Sequence, residues 1–239
     1  MPVTDAAQSY SFDHAVAVAH LVAADSGLAR CIQSVGEFQL SVRRNRSVFE
    51  YLIRSIVYQQ LSGRAAATIY GRLLNQFPYR RIRPVQLLSK TVAELRAAGL
   101  SGSKCRALQD LAEKAVAGQL PETSQLHRMT EEEIVRRLTV IWGVGRWTAE
   151  MLLIFYLGRP DILPLSDLGV RKGYQRLRGY SPLPTAATLE RAGRRWRPYR
   201  TVASWYLWRS LDTQVPISCL DHGAARFLFG CGNPVEFPP

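Results

Sequence analysis

Apolar residues recur at spacings of three and four along nearly the whole chain, and the two-residue alternation of a β-strand is hard to find. A sequence so patterned buries helix stripes, so an all-α fold is expected. His14–Ala24 reads as a first helix, and residues 48–74 as a long one with Leu52, Ile56, Tyr70 and Leu74 on buried faces. Gly63 breaks that pattern, so two helices meeting at Leu61-Ser62-Gly63 are possible. Thr91 with Glu94 forms a capping box for a short helix ended by Gly99, and residues 103–116 follow, closed by Gly118. Thr130 with Glu133 is a second capping box, opening a helix with Ile134, Leu138 and Ile141 on one stripe. It stops at Trp142-Gly143-Val144-Gly145, and a strongly apolar helix runs from Arg146 to Leu157. After the loop of residues 159–164, Asp167 is placed to cap a helix over 168–177, and Pro198 to start a final helix holding Trp205 and Trp208. No internal repeat is visible, and the end from Gly230 onward reads as irregular.

Charge limits the partner. The 239 residues carry 31 Lys plus Arg against 19 Asp plus Glu, a net charge of +12, and all but four of the basic residues are arginine. That bias suits a polyanion, because cations that neutralise phosphates release counterions. Four scattered cysteines (Cys31, Cys105, Cys219, Cys231) without neighbouring histidines argue against zinc fingers and disulfide scaffolds. No basic start precedes an apolar stretch, and the longest apolar run, 151–157, is far short of the roughly 20 residues that cross a bilayer. A cytoplasmic protein in a reducing compartment, nucleoid-associated if bacterial, is the expectation.

The chemistry begins at the G-V-G between two helices. Gly143 and Gly145 permit a sharp reversal, and the N-terminus of the second helix adds its positive dipole end, so the hairpin is a candidate phosphate nest as well as a plain tight turn.

The stretch LTVIWGVGRWTAEMLLIFYLGRPDILPLSDLGVR, from Leu138 to Arg171, resembles the helix-hairpin-helix DNA glycosylases, specifically the 3-methyladenine-DNA glycosylase II group of alkylpurine enzymes. Two further blocks agree: Ile56-Val57-Tyr58-Gln59-Gln60-Leu61-Ser62 with Ala65-Ala66, and Ala98-Gly99-Leu100-Ser101 followed by Lys104. The resemblance implies the HhH-GPD glycosylase fold: two helical lobes around a cleft, one over 45–165 ending in the hairpin, the other joining 1–44 to 166–239. It implies a monofunctional enzyme that hydrolytically removes alkylated purines of the 3-methyladenine and 7-methylguanine type from double-stranded DNA, as a monomer of the short form without an N-terminal β-domain.

The resemblance makes Asp167 the catalytic carboxylate, and the chemistry agrees. Breaking a purine N-glycosidic bond develops positive charge on the sugar, which a carboxylate stabilises while orienting or deprotonating water. Asp161, in Arg159-Pro160-Asp161, is the competing acid, and its context reads as a loop that fixes the hairpin helix. Related enzymes that also cut the backbone place an attacking lysine near position 147; here Trp147 stands there, so no lyase step is expected. An electron-rich ring also suits a cationic alkylpurine.

Tyr199 falls where the bacterial inducible enzyme has another pocket tryptophan, and Met151 where it has a tyrosine, so the base range is the open question. The resemblance further assigns DNA contacts to Gly143, Val144, Gly145 and Arg146, to Gln60, Leu61 and Ser62 as the turn entering the minor groove with Gln60 or Leu61 as wedge, and to Lys104. No metal ligands among the side chains and no iron-sulfur cluster are expected, since Cys219 and Cys231 stand 12 apart without two others beside them. The family implies a structural Na+ or K+ on hairpin carbonyls. Rival readings are a glycosylase for hypoxanthine or mismatched bases, and a non-catalytic helix-hairpin-helix DNA-binding module.

Overall fold

The computed structural model describes residues 12–42 and 47–212. Cys219, Cys231 and the segment from Gly230 lie outside them. The described residues form helices and no strand. In chain order these are α1 (His14–Ala24), α2 (Ser26–Val35), α3 (Val48–Tyr58), α4 (Gly63–Leu74), α5 (Pro84–Leu88), α6 (Val92–Ala97) and α7 (Gly102–Val116). They continue with α8 (Thr123–Leu126), α9 (Glu131–Leu138), α10 (Arg146–Phe155), α11 (Leu168–Arg178), α12 (Ala186–Gly193) and α13 (Arg200–Arg209). Two compact units result: residues 42 and 47–157 form the described part of the first, and residues 12–41 with 158–212 form the described part of the second.

In the first unit, α3 buries Leu52, Ile53, Ile56 and Val57 completely, with Leu73 of α4, Leu95 of α6 and Leu108 and Leu111 of α7 equally buried. Each such side chain contributes about 1.5–3 kcal/mol of transfer free energy. The stretch 48–74 is indeed two helices, because Gln59 to Ser62 leave the helical conformation and the Ser62 hydroxyl accepts the Ala65 N–H at 3.4 Å. Both capping boxes form. Glu94 and Glu133 each accept the backbone N–H of Thr91 and Thr130 at 2.8 Å, and the threonine hydroxyls accept the reciprocal N–H groups. Helix α9 ends at Leu138, before Ile141, which is nevertheless buried at 2% exposure.

In the second unit, α2 is a helix that the sequence reading passed over. Asp25, at 2% exposure, caps it through Oδ1 on the Leu28 N–H at 3.0 Å. Asp25 Oδ2 accepts the Arg178 guanidinium at 2.6 Å and the Trp196 indole N–H at 3.0 Å, so one buried carboxylate joins α2, α11 and the turn before α13. Helix α13 begins at Arg200 and not at Pro198. The reason is Asp161, whose carboxylate takes the Arg200 Nε at 2.5 Å and Nη2 at 2.9 Å, while Pro160 O accepts the Thr201 N–H at 2.9 Å. Asp161 therefore fixes its loop to the first turn of α13, not to the hairpin helix.

Helices α11 and α13 approach closely through two glycines four apart. A Cβ at Gly173 would lie 2.2 Å from Leu207 O, and one at Gly169 2.8 Å from Trp208 Cδ1. Gly173→Ala must push backbone from backbone, so we expect a loss of about 1–3 kcal/mol or more. At about 2–4 °C per kcal/mol, Tm falls several degrees in thermal unfolding. Gly71→Ala, in α4 where a Cβ meets nothing within 4 Å, should instead gain about 0.5–1 kcal/mol.

Candidate active site and nucleic-acid interface

The hairpin is held from below. The Asp110 carboxylate of α7 accepts the Trp142 N–H at 2.7 Å and also binds Lys114. Burial pushes the Asp110 pKa up, but Lys114 and the Trp142 amide outweigh it and leave the pKa below the usual carboxylate range. The Val144 N–H turns back to Ile141 O at 3.0 Å. Gly143 takes φ +78°, a region closed to most side chains, and a Cβ there would lie 3.0 Å from the Ala107 Cβ. Gly145 caps α10 and has no side chain with which to occupy the first-turn N–H groups. The amides of Gly143 and Gly145 thus have no protein acceptor among the described residues, as an anion nest requires. An open cavity of about 550 Å³ lies beside the bend, lined by residues 139–145 with Arg106 and Asp110. Arg106 stacks on the half-exposed Trp142 ring at 3.7 Å.

The basic residues beside the hairpin are engaged. Arg146 forms a two-pronged pair with Glu132 at 3.1 and 2.8 Å and approaches Glu150 at 3.9 Å, which raises its pKa and lowers that of Glu132. The Lys104 ammonium donates to Val57 O at 2.6 Å, in the last turn of α3, and to Gln59 O at 2.9 Å, on its C-cap, where a cation meets the negative end of the helix. Burial lowers its pKa. In the turn that follows, Gln60 is exposed with φ +56°, Leu61 is 39% exposed, and Ser62 is exposed while capping α4.

Trp147, on the first turn of α10, is 39% exposed and so is not a core residue. Met151, one turn on, is buried, and its carbonyl accepts the Tyr51 hydroxyl at 3.1 Å. In the second unit, Asp167 caps α11 with Oδ1 on the Val170 N–H at 2.7 Å. The same oxygen accepts the Trp208 indole N–H at 2.8 Å. This partner was missed from sequence. The signal was there in part: Gly169 and Gly173 in D-L-G-V-R-K-G announce a closely packed helix, and Trp208 sits one turn after Trp205. Two donors on one carboxylate oxygen hold the side chain in one orientation. Tyr199 stands at the start of α13 with its ring 5.9 Å from Phe12 and 5.5 Å from His20.

The model for HhH-GPD superfamily base excision DNA repair proteins matches residues 53–198, a span that takes in both the hairpin and Asp167, and the chain belongs to that superfamily. DNA-3-methyladenine glycosylase 1 of Schizosaccharomyces pombe is 36% identical over 201 residues, 80% of this chain and 85% of that protein. The solved structure of a 3-methyladenine DNA glycosylase from the same yeast in complex with abasic DNA is similar with a TM-score of 0.78 at 33% identity, covering 83% of this chain and 98% of that one. A Bacillus halodurans DNA-3-methyladenine glycosidase structure gives 0.73 at 36% identity, covering 84% and 90%. Among the described residues no helix is long and apolar enough to cross a membrane, and no group of three or more His, Cys, Asp or Glu could hold a metal ion.

Proposed function

We propose that this chain is a monofunctional DNA glycosylase that flips alkylated purines out of double-stranded DNA and hydrolyses their N-glycosidic bonds, leaving an abasic site. The observation that carries this reading is Asp167, a carboxylate oriented by the Val170 N–H and the Trp208 indole, in a chain of a base-excision family. Its role is to stabilise the sugar cation as the bond lengthens and to orient or deprotonate the water that adds to it. Trp147 offers an aromatic face to a cationic base, with Met151 and Tyr199 as further wall residues. The Gly143-Val144-Gly145 bend holds a phosphate through its amides, and Gln60 or Leu61 fills the gap in the stack.

The donor chemistry of the hairpin suits a Na+ or K+: the carbonyls of Leu138, Ile141 and Gly143 each accept one hydrogen bond and keep a second lone pair, and such an ion would add positive charge to the bend. No iron-sulfur cluster is called for by this chemistry. The place of action is wherever that DNA lies, the cytoplasm and its nucleoid for a bacterial source.

The deciding experiment incubates the protein with methylated genomic DNA and chromatographs the released bases. Free 3-methyladenine and 7-methylguanine are expected; release of hypoxanthine or mismatched bases alone would sink the specificity, and release of nothing the activity. Borohydride should trap no covalent adduct, since position 147 offers no amine.

Arg146 gives two of its five N–H donors to Glu132, whose negative charge opposes a phosphate there. Both side chains are more than half exposed, so the pair adds little to stability. Glu132→Gln is therefore expected to tighten duplex binding several-fold and to steepen the salt dependence by about one counterion. Fluorescence anisotropy across a salt series measures it, and an unchanged slope would show that Arg146 does not meet DNA.

A further inference from the structure

The turn that would part the base stack and the bend that would hold a phosphate are joined by side chains the mechanism above does not use. The Gln59 amide nitrogen donates to Gly143 O at 3.0 Å and to the Thr148 hydroxyl at 3.2 Å, reaching the hairpin and the first turn of α10 at once. The Gln59 carbonyl, with that of Val57, accepts the Lys104 ammonium. We propose that Gln59 and Lys104 are positioning residues that lock the Gln60-Leu61-Ser62 turn to the glycine bend, so that gripping the backbone and opening the stack are acts of one rigid piece.

Three features support this. Gln60 holds a left-handed φ of +56°, which side-chain-bearing residues rarely adopt unless both flanks are fixed. Its flanks are fixed, by Lys104 on the preceding carbonyl and by the Ser62 cap on the following helix. Lys104 also has two of its three N–H donors on protein carbonyls, which suits a fastening and leaves little for a phosphate. Thr148, whose hydroxyl Gln59 meets, is 3% exposed, so this end of the connection is anchored in packed protein, while the bond to Gly143 lies at the surface beside the bend.

The inference rests on the proposed DNA reading and is tested without excision. A duplex with a tetrahydrofuran site opposite 2-aminopurine reports unstacking by fluorescence, while anisotropy reports binding. The wild-type chain should raise the emission on saturation. Gln59→Glu, equal in volume but setting a carboxylate against the Gly143 carbonyl, and Lys104→Met should bind within about fivefold of wild type yet reach less than about half its emission. Lys104→Arg, which keeps donors in reach, should recover most of it. A full emission rise in both variants at saturation would overturn the proposal, as would binding and emission lost in parallel, which is what general destabilisation gives. A silent wild type would overturn it too, by showing that the turn does not enter the stack. Release of alkylated bases from methylated DNA would be untouched by that result, so the two failures are distinguishable.

Discussion

Asp167→Asn should lower the single-turnover rate of base release by about a thousandfold or more, within the range that a positioned charge or base contributes, while duplex binding stays within a few-fold. The substitution isolates charge. Asparagine is as good an N-cap as aspartate, and its side-chain oxygen can still accept the Val170 and Trp208 N–H groups, so α11 and the indole stay in place and stability changes by no more than about 1 kcal/mol. What disappears is the negative charge that, on the proposed reading, stabilises the developing sugar cation. Quench-flow or manual time courses on a 7-methylguanine duplex, with anisotropy for binding, read both quantities. Undiminished release would remove Asp167 from the chemistry, and a parallel collapse of binding and Tm would make it a structural cap only.

The largest expected effect on stability lies elsewhere, at Asp25. Its carboxylate is almost wholly buried and has three donors: the Leu28 amide, the Arg178 guanidinium and the indole of Trp196, whose side chain is fully buried. Asp25→Ala strands a largely buried cation, leaves a buried N–H unsatisfied and uncaps α2. Breaking a buried pair in this way costs about 3–5 kcal/mol, with about 1 kcal/mol for the cap, a large fraction of the 5–15 kcal/mol of an ordinary fold. A Tm fall of about 10 °C or more is expected in calorimetry. Because the cost comes from the orphaned partner, Asp25→Leu with Arg178→Met should recover a good part of it. A double variant as unstable as Asp25→Ala would show that the carboxylate acts through its cap and the indole and not through the charge.

Local features were the legible ones. The capping boxes at Thr91 and Thr130, the G-V-G bend and the aspartate before α11 each depend on residues two or three apart, and the chain pattern shows them directly. Contacts made across long sequence distances were not. Trp208 is 41 residues from Asp167, and nothing local says that its indole turns toward that carboxylate. Lys104 was legible as a cation near a helix start, but not as the cap of a different helix 45 residues earlier. Pro198 has the right chemistry for a first helical position and lost to the grip of Asp161 on Arg200, a tertiary contact that sets where α13 begins. Helix α2 was hidden because Gly27 weakens its local propensity; that glycine is there to admit the Arg178 guanidinium, 3.0 Å from where a Cβ would be.

The close seat of Trp208 on Gly169 has a consequence for inhibitors. A gap too narrow for a methyl group is also too narrow for a water molecule, so the indole side of Asp167 is sealed against small molecules. On the proposed role of Asp167, a cationic sugar mimic has to approach the carboxylate from its other side, and analogues elaborated toward α13 should gain nothing.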